Sequence, residues 1–338
     1  MTDNQLSRRR ALQLSGAAAV VAVAGCLGDD DDAAAGAYNT YISAQDGEAT
    51  AIYMDVAALS ELDDDEDSDE PDDGDDDFFE EEPLLGVPMA GIFSLFFVAG
   101  FSLESAGLGD LIDDDAMEEY DTEVTELLLT GETVVITGDI ETEEITDRIE
   151  QEADVEHEQT DEQAGFTIYE SVDDDDDDDE FGFEIESAIA VSEDELLAAE
   201  NRDQLDHVIE TIEGERTAAV DEFEEFDWLL SVIEESEVAL VGYVDDGTVE
   251  EEDDDELDDG EMLPADDVID QATGFAGGLA ITDDQVTADA GLLFDVLDDG
   301  LEGEIESEFD TESADVSFEF DDDRVTISAT FEEDELDE

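Results

Sequence analysis

Residues 124–153 read VTELLLTGETVVITGDIETEEITDRIEQEA, and this stretch decides the predicted fold. Two apolar, β-branched runs at residues 124–129 and 133–137 flank a tight Thr-Gly-Glu turn, which is typical of a β-hairpin. The residues that follow place Ile145 and Ile149 four positions apart among charged residues, which predicts an amphipathic helix. The stretch therefore predicts a strand, a turn, a second strand and a helix.

The same order recurs further along the chain. Residues 185–191 and 195–199 lie on either side of a Ser-Glu-Asp turn, and Asn201 can cap the helix that follows. A third, weaker copy has predicted strands at residues 275–282 and 285–294, followed by apolar residues at helical spacing. The helix after Asn201 has an apolar face with i, i+3, i+4, i+7 spacing, formed by Leu205, Val208, Ile209 and Ile212.

Four further segments complete the pattern. Residues 50–59 and 238–244 are predicted strands, and residues 217–235 are a predicted helix with an apolar stripe. The chain ends in a predicted hairpin at residues 316–320 and 325–331. Strict alternation in its second strand predicts one buried face and one wet face.

Repeated units of hairpin and helix predict an α+β fold, with an antiparallel sheet or sheets and helices on one face. We expect two or three ββα-like repeats in a globular region over residues 38–338, internally duplicated as approximately 38–182 and 183–338. Three acidic runs are expected to be solvated surface loops, at residues 61–82, 173–180 and 250–261.

The first 26 residues predict where the protein is located in the cell. A basic block containing Arg8 and Arg9 precedes a short uncharged run that ends in Val-Ala-Gly-Cys at Cys26. The paired arginines resemble the twin-arginine export signal, and the last four residues resemble the lipobox of bacterial and archaeal lipoproteins. By that resemblance, residues 1–25 are an export signal, Cys26 carries the lipid, and residues 26–37 are an acidic linker. An uncleaved anchor helix and an ordinary secretory signal are the alternatives.

Charge is the second strong signal. The chain has 113 acidic and 7 basic residues, all seven of them arginine, for a formal charge of −106. Without residues 1–25, four arginines and 112 acidic residues remain, or about −108. Such repulsion becomes tolerable at molar salt, where the Debye length falls from about 8 Å to about 3 Å. The composition resembles that of proteins from extreme halophiles, and we expect a haloarchaeal protein. Intrinsic disorder is the alternative explanation of this composition, and the clustered, periodic apolar residues disfavour it.

The charge also restricts partners and cofactors. Four scattered arginines cannot form a phosphate-binding face, so we expect no nucleic-acid binding, and binding to anionic lipid head groups is disfavoured. The predicted partners are the membrane, through lipid at Cys26, and solvated Na⁺, K⁺ and Mg²⁺ on the acidic loops, with no cofactor. A protein partner is left unidentified.

One uncharged segment, residues 84–103, is long enough to span a bilayer. Pro88 and three glycines weaken it as a spanning helix, and no flanking Lys or Arg sets an orientation. Its phenylalanines recur at helical spacing, so we expect a buried helix at the centre of the core. A helix that dips into the membrane surface and a spanning helix are the alternatives.

Catalytic signatures are absent from the sequence: it has no Gly-x-Ser-x-Gly elbow, phosphate-binding glycine loop, His-Glu-x-x-His motif or dinucleotide fingerprint. We interpret both histidines, His157 and His207, as surface or boundary residues. Asp69, Asp73 and Glu80 partly match the register of a calcium loop, but a proline stands at the third position where an oxygen ligand is needed. They are weak metal candidates.

The chain is similar to a loose group of uncharacterised exported proteins that share a signal or anchor, an early strand such as residues 51–59, and a strand–turn–strand–helix block such as residues 188–214. The resemblance implies no activity. We expect a non-enzymatic, lipid-anchored protein on the outer face of the cytoplasmic membrane, with a structural or binding role. The alternatives are an extracytoplasmic solute- or cation-binding module and, after it, a carboxylate-dependent hydrolase.

Overall fold

The structure is a computed structural model, and it describes residues 39–45, 47–61, 82–112, 120–151, 155–172, 187–245, 266–282, 285–311 and 313–332. These residues form an α+β fold, with one large antiparallel sheet and several helices. The strands are β1 Glu48–Asp55, β2 Glu123–Thr130, β3 Thr133–Asp139, β4 His157–Gln163, β5 Phe166–Ser171, β6 Ala188–Val191, β7 Glu195–Ala199, β8 Val238–Val244, β9 Gly274–Ile281, β10 Gln285–Leu293, β11 Asp315–Asp321 and β12 Arg324–Glu332. The helices are α1 Val56–Glu61, α2 Pro83–Ser105, α3 Thr142–Gln151, α4 Arg202–Ile212, α5 Ala219–Glu222, α6 Glu224–Val232, α7 Asp266–Ile269 and α8 Asp299–Phe309.

The twelve described strands join in the order β11-β12-β10-β9-β8-β1-β2-β3-β7-β6-β5-β4. Strand β1 lies at the centre and pairs with β2 on one side and β8 on the other. Strand β4, at one edge, is polar, and five of its seven residues are exposed. Polar, charged edges of this kind discourage pairing with a second sheet.

Helices pack on both faces of the sheet, so the prediction that they lie on one face is wrong. Alternate residues of β1 enter two different cores: Ile52 and Met54 join one, and Ala51 and Tyr53 join the other. The core on the first face contains α2, α3 and α8, and the core on the second face contains α4 and α6. Because the central strands are buried on both sides, they are apolar almost throughout, as parallel strands usually are.

The chain follows a similar path through the two parts of the sheet that lie on either side of β1, which we call its two arms. In one arm, β3 leads into α3 on the first face, the chain passes to the edge strand β4, and strands return until β7 pairs with β3. In the other arm, β10 leads into α8 on the same face, and β11 and β12 return until β12 pairs with β10. The helix after the second predicted hairpin, α4, lies instead on the second face. The predicted ββα repeat is therefore not confirmed.

Two predicted elements differ in their extent. The strand predicted at residues 50–59 ends at Asp55, and α1 begins at the next residue. The Asp55 carboxylate caps this helix by accepting a hydrogen bond from Ala58 N at 2.8 Å. The helix predicted at residues 217–235 breaks into α5 and α6 at Phe223, which has an extended backbone (φ −122°, ψ 114°). The break lets the Phe223 ring pack on Tyr243, with 5.1 Å between the ring centroids.

The remaining predicted strands and helices are confirmed over the residues that the structure describes, which do not include residues 152–153 and 185–186. The hairpin at residues 124–137 forms β2 and β3, and the C-terminal hairpin forms β11 and β12. Asn201 caps α4 as predicted, because its side-chain oxygen accepts a hydrogen bond from Gln204 N at 3.1 Å. Leu205, Val208 and Ile209 on that helix are buried.

Candidate functional site

The site residues predicted from the sequence lie outside the described residues. Arg8, Arg9, Cys26, Asp69, Asp73 and Glu80 all belong to this group, as do the acidic runs at 173–180 and 250–261. Of the first acidic run, the structure describes both ends. Glu82 is buried rather than solvated, and its Oε1 accepts hydrogen bonds from Thr311 Oγ1 at 2.8 Å and from the Ser313 hydroxyl.

The segment at residues 84–103 forms most of the long helix α2, which crosses the first face of the sheet. Its first half is packed against the central strands. A Cβ at Gly91 would lie 3.3 Å from the Leu240 Cβ and 3.4 Å from Ile52 Cγ2, so the helix backbone approaches the sheet closely. The predicted core helix is therefore confirmed for this half. Of the described helices, α2 alone is long and apolar enough to cross a bilayer, judged by length and composition.

The second half of α2 has two unlike sides. Leu95, Ala99 and Leu103 face the core and have no exposed surface. Phe93, Phe97 and Phe101 lie on the opposite side and are 51%, 79% and 60% exposed. We call these three residues the phenylalanine stripe. Their spacing of four places them on one line along the helix, about 12 Å from the first Cα to the last.

The phenylalanine stripe is unusual on this surface. The described residues expose only two other large apolar side chains, Val172 and Val296, and neither lies on α2. No charged residue occurs from Pro83 to Leu103, although acidic residues make up a third of the chain. An exposed, contiguous apolar surface rimmed by polar residues is typical of an interaction site.

A cavity of about 420 Å³ opens on the sheet near the first half of α2. Its walls are almost entirely apolar. They come from β1, the end of β2 with the turn after it, β8, the start of β9, and α7 with the turn after it. The wall residues on the first face include Ile52, Leu240, Ile269, Ala272 and Phe275. A cavity of this size and character suits a small apolar molecule.

His157 forms the most suggestive polar pair. Its Nδ1 lies 2.7 Å from the Val155 carbonyl oxygen, which can only accept, so Nδ1 carries the proton. Its Nε2, 2.8 Å from Ser187 Oγ, therefore accepts the Ser187 hydroxyl proton. Burial lowers the pKa of His157, against a smaller opposing effect of the Val155 hydrogen bond. His157 is 5% exposed, so its interpretation as a surface or boundary residue is wrong.

A serine, a histidine and an orienting acceptor are the parts of an activated nucleophile. Here, however, Ser187 is 7% exposed and His157 only 5%, so a substrate has no access to the hydroxyl in this arrangement. The pair instead joins the start of β4 to the residue before β6, across the end of β5. Nothing in the sequence indicated this contact, since the two residues are thirty positions apart.

A tyrosine–carboxylate pair lies at the other side of the sheet. The Tyr41 hydroxyl donates to Glu195 Oε1 at 2.5 Å, and burial, reinforced by Glu195, raises the pKa of Tyr41. The nearby Glu126 accepts from the Tyr53 hydroxyl at 3.0 Å and from Thr137 Oγ1 at 2.9 Å. The Tyr41–Glu195 hydrogen bond holds the N-terminal described segment against β7, whereas the two bonds to Glu126 join β2 to its neighbours β1 and β3. Among the described residues, no group of three or more His, Cys, Asp or Glu side chains is placed to hold a metal ion.

Comparisons with known proteins add little to this geometry. No family model matches the chain, and no curated protein matches it. Among solved structures, crystal forms III, I and IV of the bacterial protein TP0453 are similar, with TM-scores of 0.41, 0.41 and 0.40. They are 10–11% identical, and the match covers 88% of this chain and 93–94% of TP0453. At these values the likeness carries no information on function.

Proposed function

We propose that the protein is a lipid-anchored protein of the outer face of the cytoplasmic membrane of a halophilic archaeon, with a non-enzymatic structural or binding role. The observation that carries the proposal is the sequence from Arg8 to Cys26: paired arginines, a short uncharged run and Val-Ala-Gly-Cys. The acidic, lysine-free composition supports the assignment to molar salt.

The position of the folded region supports a tether. The described fold begins at Asn39, thirteen residues after Cys26. Thirteen residues of extended chain reach at most about 45 Å. A chain anchored at Cys26 would therefore hold the sheet close to the bilayer.

The mass of the mature protein, purified from membranes, tests the proposal. We expect an N-terminus at Cys26 and a mass increased by a lipid. A Cys26→Ser variant should carry no lipid and should leave the membrane fraction, and a Ser7→Ala variant is the control for an unrelated change in the signal. A wild-type protein without lipid that keeps residues 1–25 would overturn the proposal.

A solute-binding role is the second candidate, and the apolar cavity at β1, β8 and β9 favours it. The cavity walls offer few polar groups, so an apolar solute fits them better than a cation. Native mass spectrometry of protein taken from its own membranes provides the test. A bound small molecule that is lost in an Ala272→Trp variant would support this role, and an empty wild-type protein would count against it.

We also propose that the chain arose by internal duplication, with a boundary after β7 rather than near residues 182–183, which would divide the first arm between β5 and β6. The support is the shared path of the two arms, in which a helix on the first face leads from an inner strand to the edge and strands return beside that inner strand. The repeated unit would then be strand, helix and returning strands rather than ββα. Superposing the two arms of an experimental structure tests it, and α3 and α8 should then coincide.

A further inference from the structure

We propose that the phenylalanine stripe of α2 inserts into the lipid bilayer to which the protein is anchored. The proposal rests on the proposed function, because the anchor at Cys26 is what keeps the stripe beside a membrane. The observation that carries it is the exposure of Phe93, Phe97 and Phe101 on one side of an uncharged helix whose other side is buried in the core.

The stripe is not explained by folding. The core of the first face is already filled by the opposite side of α2, where Leu95, Ala99 and Leu103 are fully buried. Turning the helix would bury the phenylalanines but would expose Leu95, Ala99 and Leu103 instead, so one side of α2 would stay apolar and exposed in either orientation. The stripe is therefore an additional apolar surface, in a protein whose composition otherwise favours charge at the surface.

Lipid fits the chemistry of this surface. A bilayer interior excludes charged side chains, so any part of this protein that enters it must come from the few uncharged surfaces. The side of α2 around the stripe offers Ser94 and Gly100, and the first exposed charge along it is Glu104, after the last phenylalanine. Helices that lie in a membrane interface use aromatic and leucine side chains in this way.

A second copy of the chain fits the stripe less well. At about 150–250 Å² for a whole aromatic side chain, the exposed fractions give the stripe about 285–475 Å². Stable protein interfaces bury about 800 Å² on each partner. Pairing would also bring together two chains that each carry a formal charge of −106. Lipid insertion needs no such area, because the anchor already supplies most of the attachment and a small second contribution suffices.

The tether allows the required orientation. Ile42 packs in the core of the second face, whereas the stripe lies on the first face, so the linker must pass the sheet to bring both to one membrane. Thirteen residues separate Cys26 from Asn39, and an extended chain of that length reaches at most about 45 Å, which is the distance available for this path.

Fluorescence quenching by lipid provides a direct test. The chain has a single tryptophan, Trp228, which lies on α6 on the second face. We would use the full anchored protein in phosphatidylcholine vesicles at molar KCl, comparing the wild type with a Trp228→Phe, Phe97→Trp double variant. When the lipid tails are brominated, we expect the tryptophan at position 97 to lose most of its emission and Trp228 in the wild type to keep nearly all of it. A Trp228→Phe, Phe101→Trp variant repeats the test one turn away.

Each outcome decides the proposal. Position 97 is 79% exposed, so Phe97→Trp itself should leave the denaturation midpoint unchanged. Trp228 is half-buried against the core of the second face, so the single variant Trp228→Phe is the control for folding. No quenching by lipid, with ready quenching by aqueous iodide, would overturn the proposal because the stripe stays in water. If neither agent quenches the tryptophan and light scattering shows a dimer, the proposal is overturned and a second copy covers the stripe. If neither agent quenches it and the protein is a monomer, the proposal is overturned and another part of the same chain covers the stripe.

The two proposals fail separately. Quenching at position 97 in a protein that carries no lipid at Cys26 would leave the stripe proposal standing and remove the anchor. Lipid at Cys26 without quenching at position 97 would leave the anchor and remove the stripe. The matched triple variant, Phe93→Ser with Phe97→Ser and Phe101→Ser, should weaken the attachment of unlipidated protein to vesicles by about tenfold for each phenylalanine that inserts.

Discussion

The imidazole Nε2 of His157 lies 2.8 Å from the hydroxyl oxygen of Ser187. This contact ties the edge strand β4 to the residue that precedes β6, on the far side of β5. Since the other residues of β4 are polar and mostly exposed, His157 is the one fully buried side chain that this strand contributes. The pair is therefore a tertiary contact that stabilises this edge of the sheet.

The contact between His157 and Ser187 should make the free energy of unfolding depend on pH. Burial lowers the pKa of His157 in the folded state, so below about pH 6.5 the unfolded chain binds a proton more readily than the folded one. The stability that the neutral imidazole contributes is present above that pH and is lost as the pH falls towards the lowered pKa. We expect the free energy of unfolding of the wild type to fall between pH 7.5 and 5.5 relative to a His157→Gln variant, in urea titrations at molar KCl. A His207→Gln variant is the control, and an equal fall in wild type and His157→Gln would contradict the prediction.

Gly138 should tolerate no side chain. Its φ is +154°, and a Cβ there would lie 1.9 Å from the Glu123 carbonyl oxygen, at the irregularity in the pairing of β2 with β3. Since the clash is with backbone, we expect Gly138→Ala to lower the free energy of unfolding by about 3–5 kcal/mol. Gly165, with φ +95° and no atom within 4 Å of such a Cβ, is the matched control, and its alanine variant should lose only about 1–2 kcal/mol. Equal losses in the two variants would show that the close approach at Gly138 is absent.

The two sides of α2 should respond differently to truncation. Leu103 is fully buried, so Leu103→Ala should cost about 2–5 kcal/mol of unfolding free energy. Phe97 is mostly exposed, so Phe97→Ala should change it by less than about 0.5 kcal/mol in solution. Denaturation without lipid at molar KCl measures both. A large loss in Phe97→Ala would place the phenylalanine stripe inside the fold and would remove the basis of the membrane proposal.

Glu237 should destabilise the protein at neutral pH. It is half-buried, and its Oε2 accepts a hydrogen bond from Ile281 N at 2.8 Å. Burial raises the pKa of its carboxyl, assisted by the nearby charge of Asp55, so the folded state binds the proton more tightly than the unfolded state. That contribution to stability is present below the unfolded pKa and is lost as the pH rises through the raised pKa.

Replacing Glu237 with glutamine keeps an acceptor for Ile281 N and removes the charge. We expect Glu237→Gln to raise the denaturation midpoint at pH 7 and to lose this advantage at about pH 4. Glu225→Gln, on an exposed part of α6, is the control for a change of one in net charge. An increase of the same size in both variants would assign the effect to net charge and would refute the local explanation.

Local patterns were sufficient where neighbours in the chain make the structure. The hairpin of β2 and β3 and the cap at Asn201 depend on contacts within a few residues, and both are confirmed. The sequence did not predict the break at Phe223, where the ring packs on Tyr243, which is twenty residues away in the chain and belongs to strand β8. Nor did it predict the partner of His157, since the burial of His157 depends on β5 and β6 folding over it.

Local patterns did not predict which face of the sheet each helix covers. The pattern of Ile145 and Ile149 and the pattern of Leu205 and Ile209 are alike, yet α3 packs on the first face and α4 on the second. An apolar stripe specifies that a helix must cover a sheet but contains no information on which side it does so. That choice follows from the path of the chain, which leaves β3 for the edge strand but leaves β7 for the centre.

The sequence by itself determined most of the helices and strands, the antiparallel hairpins and the acidic character of the surface, because these follow from short-range spacing and composition. Only the tertiary structure decided that twelve described strands join in a single sheet, that helices cover both its faces, and that α2 buries one side while it exposes Phe93, Phe97 and Phe101. The helical spacing of the phenylalanines in residues 84–103 predicted a buried helix, but three of them lie on its exposed side. Since the segment is apolar all round, the spacing did not identify the inner side. The distinction came from the position of the sheet, which contacts only one side of the helix.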